Sequence, residues 1–216
     1  MKKILYSVAL AACCMGTMTS CSDFLDASNK SNVTAKQSFA TKEGLNNLVN
    51  NAYQHLQNVY AAPLFTSCFS AGTDMYADAR NKMNEALNTY ETLTPENTDI
   101  KNLYTYLYSG IRAANSVSYY AQTAQVDEKT KGQLVGEARV LAAYEYYLLV
   151  NNFGGVPIMK DFLTTADTGY PKSSAADVYA YIISELEDVI GKNVLQASTA
   201  TKGGGRISQE TAKAIL

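Results

Sequence analysis

Apolar residues recur every three or four positions through most of the chain, and the interruptions between these runs mark where elements end. Leu45, Leu48, Val49, Ala52, Tyr53, Leu56 and Tyr60 fall on one stripe of a helix. Residues 61–97 are less regular and are broken by Pro63, Gly72 and Pro95. A second run carries Ile100, Leu103, Leu107, Ile111, Ala114 and Val117. A third covers about 127–152, opens on Asp127 as N-cap, and contains Leu134, Ala138, Leu141, Ala142, Leu148 and Leu149. It stops at Phe153-Gly154-Gly155-Val156-Pro157, where glycine supplies a left-handed cap and the residue before proline avoids helix. A fourth begins at Ser174 with Asp177 three residues on, a capping-box pattern, and runs through Val178, Ile182, Leu186 and Val189. Gly203-Gly204-Gly205 makes a break, and Ser208 caps a new start. No segment alternates at period two for long. The pattern predicts an all-α fold of four or five helices joined as hairpins. Small residues beside Tyr144, Tyr146 and Tyr147 suggest tetratricopeptide-like packing, although no clean 34-residue repeat is present.

The front of the chain follows a different rule. Lys2 and Lys3 precede an uncharged apolar stretch from Ile4 to about Met18. As a helix that stretch spans roughly 22 Å, short of the ~30 Å hydrocarbon core, so residues 1–20 read as a secretory signal peptide. Thr19-Ser20-Cys21 ends it. Cys21 could be a disulfide partner, a nucleophile, a metal ligand or an anchor. Small residues leading into a cysteine resemble the bacterial lipobox, whose cysteine is acylated, with Met18 standing where leucine is usual. On that resemblance Cys21 is the lipidation site. An ordinary signal peptide with an incidental cysteine is the competing reading. Cys13 and Cys14 leave with the signal, so only Cys21 and Cys68 remain, too few for a disulfide-stapled domain. Residues 21–40 are polar and read as acylated N-terminus and tether, and 41–216 as the helical domain.

Removing the signal takes two lysines and leaves 16 basic against 20 acidic side chains, a formal charge of −4. With no basic patch, nucleic acid is an unfavourable partner. No second apolar run is long enough to span a bilayer. The aromatic content is lopsided, with 16 Tyr, 6 Phe and no Trp. Tyrosine suits wet boundaries, sugar platforms and helix packing alike. The apolar face begun by Ile207, Ala212, Ile215 and Leu216 reads as the start of a helix in a truncated chain.

Several stretches taken together resemble the SusD/RagB family: CSDFLD at 21–26, GTD at 72–74, LYTYLYSGIRAANSV at 103–117, GEARVLAAYEYYLLVNNFGGVPI at 136–158, KSSAADVYAYIISELEDVI at 172–190 and GGGRISQETAKAIL at 203–216. The resemblance implies a SusD-like, tetratricopeptide-like scaffold incomplete at its C-terminus. It implies a lipid-anchored outer-membrane protein at the cell surface. Such a protein captures glycan, or peptide in some branches, and delivers it to a SusC-like TonB-dependent transporter without being an enzyme. In the best-known branch, ligand contacts follow the Thr-Asp of the first loop. The matching positions here give Tyr76, Asp78, Arg80 and Asn81 as candidate ligand-binding residues. The absence of tryptophan puts starch specificity in doubt. A helical-repeat scaffold lipoprotein facing the periplasm is the alternative.

No other constellation makes a case for catalysis or a cofactor. His55 is the only histidine, so no zinc-type cluster forms around it. G-x-S-x-G, H-E-x-x-H and C-x-x-C are absent, and the triple glycine is not followed by a Walker lysine. Tyr104, Tyr106 and Tyr108 cannot share one helix face. Glu137 and Arg139 are structural in the resemblance, and Glu185, Glu187 and Asp188 are expected as solvated charges.

Overall fold

The computed structural model describes residues 34–76, 85–165, 169–198 and 205–216. Five helices carry the architecture: α1 (Lys42–Tyr60), α2 (Thr98–Ala121), α3 (Glu128–Phe153), α4 (Ala175–Lys192) and α5 (Gln209–Ile215). Short helical turns lie at Ala35–Ser38, Ala62–Phe65 and Glu85–Thr89, with a π-helical turn at Thr66–Ser70. No strand occurs among the described residues. No helix among them is long and apolar enough to cross a membrane. Cys21 lies outside the described residues.

Each long helix begins on a side chain that accepts from an orphan N–H of the first turn. Asp127 accepts from Thr130 N at 2.9 Å, Ser174 from Asp177 N at 3.1 Å and Ser208 from Thr211 N at 3.1 Å, as the sequence pattern predicts. Thr41 and Asn97 cap α1 and α2 in the same way. The α3 helix stops where Gly154 turns to φ 69°, and α4 where Asn193 takes φ 48°.

Cross-helix pairs fix the register. Tyr104 of α2 meets Phe153 of α3, and Gly110 lies against Glu145, so these helices run antiparallel. Arg139 of α3 meets Glu185 and Asp188 of α4, while Tyr146 meets Tyr181, again antiparallel. Tyr53 of α1 reaches Glu137 and Tyr60 reaches Tyr144, so α1 runs parallel to α3. These are successive helical hairpins. The middle helix, α3, is enclosed by α1, α2 and α4 and buries residues on all its sides, among them Leu134, Ala138, Val140, Leu141, Tyr146 and Leu149.

The structure corrects one sequence expectation. Glu185 and Asp188 are not simply solvated: Arg139 Nε donates to Glu185 at 2.7 Å and its Nη1 to Asp188. Lys192 adds a bond to Asp188 at 2.7 Å, and Lys192 and Arg139 together hold that carboxyl below the usual range. The antiparallel crossing of α3 and α4 brings these groups together, which spacing within either helix does not reveal. Glu187 remains exposed.

Candidate functional site

The loop after the π turn is where the resemblance places ligand contacts. Of the four residues it singles out, Tyr76 is described, and Asp78, Arg80 and Asn81 lie outside the described residues. Thr73 ties back to the π turn by donating its hydroxyl to Ser70 O at 2.8 Å. Asp74 and Met75 are exposed and Tyr76 is half-buried. Gly72, at φ 77°, abuts Tyr90, and a side chain there would collide with the Tyr90 hydroxyl. Behind it lies a hollow of about 290 Å³ between the π turn and the ends of α2 and α3, with Cys68, Leu87, Leu103 and Phe153 in its wall. Cys68 is free and half-buried; burial, and then the charge of Asp99, push its thiol up to about 11. The raised value lowers the thiolate fraction near neutral pH and with it the thiol's reactivity.

A second feature was not singled out in the sequence. Two adjoining hollows, of about 480 and 270 Å³, lie between α2 and the segment after α3 and share Arg112 and Met159. Tyr104 and Tyr108 form a tilted ring pair at 4.7 Å in the wall of the larger one, with Tyr170 and Pro157 opposite. Tyr108 donates to Pro157 O at 2.7 Å, and burial raises its pKa, so the hydroxyl stays protonated. Asn115 donates to Met159 O at 2.8 Å and, more weakly, to Asp161 O. These bonds fasten the Gly-Gly-Val-Pro segment across the face of α2. Arg112 is exposed and lies over the Phe162 ring at 5.7 Å. Ser109, Thr105, Thr164 and Thr165 add hydroxyls. The signal for this trough was the spacing 104, 108, 112, 115 along one edge of α2, which packing needs alone could also explain. Tyr106 enters neither ring pair and packs against the core.

The third cluster is structural. Glu137 is 1% exposed and receives Arg206 Nε at 2.7 Å, Tyr53 Oη at 3.3 Å and Gln133 Nε2 at 3.2 Å. Tyr53 in turn accepts Ile207 N at 2.7 Å. Burial, foremost, raises the Tyr53 pKa, which keeps the phenol a donor to the carboxylate. The network pins the segment before α5 to α1 and α3. Nothing in these three places sets a nucleophile beside a base, and no group of three or more His, Cys, Asp or Glu that could hold a metal occurs among the described residues.

The described residues form stacked helical hairpins that carry aromatic and hydroxyl-lined hollows. Comparison with known proteins places the chain: the family model SusD-like_3, described as "Starch-binding associating with outer membrane", matches residues 23–216, and the chain belongs to that family. It is 28% identical over 179 residues to a curated SusD-like protein of Formosa agariphila, covering 81% of this chain and 34% of that protein. Among solved structures, it resembles surface glycan-binding protein A of Bacteroides uniformis at TM-score 0.68 and 26% identity, over 80% of this chain and 40% of that one. It shares the fold of the Bacteroides thetaiotaomicron surface glycan-binding protein A solved with laminarihexaose, at TM-score 0.63 and 21% identity, over 81% and 38% of the two chains. The chain thus spans roughly a third to two-fifths of the length of these relatives. The SusD-like fold expected from the sequence is the fold found.

Proposed function

We propose that this protein is a cell-surface lipoprotein that binds glycan and passes it to a TonB-dependent outer-membrane transporter. The family match over residues 23–216 carries the reading. The trough on α2 supports it, because tyrosine rings suit sugar C–H faces and clustered hydroxyls and amides suit sugar hydroxyls. Relatives named for glycan or laminarin binding add to it. Acylation at Cys21 supplies the anchor, and Tyr76, Asp78, Arg80 and Asn81 belong to the ligand-facing loop. Binding proceeds without turnover, as the family description of a binding protein favours. The test is retardation of the purified chain in native gels containing laminarin or other polysaccharides, with product analysis of the same mixtures. Retardation with the polysaccharide intact is expected. Cleavage of the polysaccharide, or retention of peptides with no glycan retained, overturns the reading.

A further inference from the structure

Residues 44–73 contain no Asp, Glu, Lys or Arg, where a chain that is 18% charged would place about five. Most of that stretch is α1, which is a surface helix. It buries Leu45, Leu48, Val49, Ala52 and Val59 and turns the opposite side to solvent. That outer side carries amides instead of charges: Asn47, Asn50, Asn51, Gln54 and Gln57 are all exposed. A solvated helix face is ordinarily studded with Lys and Glu, which favour water and repel association. Its replacement by amides over about three turns calls for a physical account.

The widest hollow among those described, about 570 Å³, lies over this face, with Asn50, Gln54, Gln57, Tyr60 and Arg206 in its lining. The guanidinium of Arg206 brings no free charge, because it is paired with buried Glu137 at 2.7 Å. It also fixes an amide: Arg206 Nη1 donates to Asn50 Oδ1 at 2.9 Å, which leaves the Asn50 amide nitrogen as a donor. Gln54 and Gln57 have no partner among the described residues. Tyr60 is 42% exposed and held rigidly, stacked on Phe65 at 5.4 Å and bonded to the Tyr144 hydroxyl. The groove is thus uncharged, aromatic at one end, and rich in groups that both donate and accept.

We propose that this groove on α1 is a binding site for neutral glycan, separate from the trough on α2 and from the loop after Thr73-Asp74. A sugar hydroxyl donates and accepts, so it can satisfy an amide in either orientation. A protein covering the same face would have to match each buried amide with a fixed partner, at a penalty for every one left unpaired. An acidic glycan or nucleic acid would find no free cation. The proposal rests on the glycan-binding reading above.

The test compares wild type with Q54A/Q57A and with Q57E in native gels containing laminarin, an uncharged glucan, or alginate, an acidic one. These side chains are exposed, so thermal midpoints stay at the wild-type value. Wild type is retarded by laminarin, insensitively to salt, and both variants bind roughly tenfold more weakly. Equal retardation of wild type and both variants overturns this site while leaving the parent reading intact. Preference for alginate overturns the neutral class, and crosslinking of the groove to a protein with laminarin retention unchanged overturns the site in favour of docking. A wild type retarded by no polysaccharide overturns the parent reading, and the site with it.

Discussion

Glu145 shows how one side chain can work against the fold that contains it. It is fully buried on α3, neither carboxylate oxygen has a hydrogen-bond partner, and it packs against Gly110 of α2. Burial raises its pKa well above the ordinary value, and no charged group among the described residues offsets that. Because the folded state holds the proton more tightly than the unfolded chain, the stability linked to this group is complete below the ordinary carboxylate range. It is lost as pH rises through the folded-state pKa. Replacement by methionine, of similar length and apolar, should raise stability at neutral pH by about 1–3 kcal/mol and flatten this decline. Denaturant melts of wild type and E145M across the pH range check it; superimposable profiles contradict it. Gly110 is the other half of the contact, because a methyl there would strike the carboxylate. G110A should cost about 1–3 kcal/mol, and much of that should vanish when Glu145 is also shortened to serine, a coupling that a double-mutant cycle measures. None of this was legible in the sequence. Glu145 and Gly110 each sit in an ordinary helical pattern, and only the register of α2 on α3 brings them together.

Elements were legible where a single helix carried the signal. Asp127, Ser174 and Ser208 announced three helix starts, and Gly154 an end, because capping is local chemistry. The apolar stripes of α1, α2 and α4 face the core, with Tyr53 and Leu56 partly buried at its edge and Tyr60 left exposed at the end of α1. Pairings between elements were not legible, since a charge on a helix face looks the same whether it meets water or a partner. Arg139 with Glu185 and Asp188 is one instance and Arg206 with Glu137 another. The second pairing makes the segment before α5 depend on α1 and α3. Removing Arg206 strands the buried Glu137 carboxylate, so R206A should cost about 3–5 kcal/mol. Hydrogen exchange at Ile207 and along α5 should accelerate more than in α2. Uniform acceleration across all helices would show that the pair supports the whole fold and not this segment. Of the candidate ligand residues, the structure describes Tyr76 alone, while the trough with Tyr104, Tyr108 and Arg112 and the amide face of α1 emerged only when packing showed which side chains were left outside.

At the scale of the whole molecule, the proposed function needs an anchor at Cys21 and a glycan-binding surface on the helical scaffold. The anchor is tested by the C21S variant in intact cells of a Gram-negative host. Wild type should fractionate with the outer membrane and be removed by protease added outside, whereas C21S should be released from the membrane fraction; unchanged fractionation of C21S contradicts acylation there. A single acyl chain holds a protein only marginally, so durable attachment requires the multiple chains that a lipoprotein cysteine carries. Capture without cleavage is checked by titration calorimetry of the purified chain with laminarin oligosaccharides, followed by chromatography of the recovered sugar. Saturable heat and oligosaccharides returned at their original length are expected; no heat with any glycan offered, or shortened products, would rule out capture without cleavage.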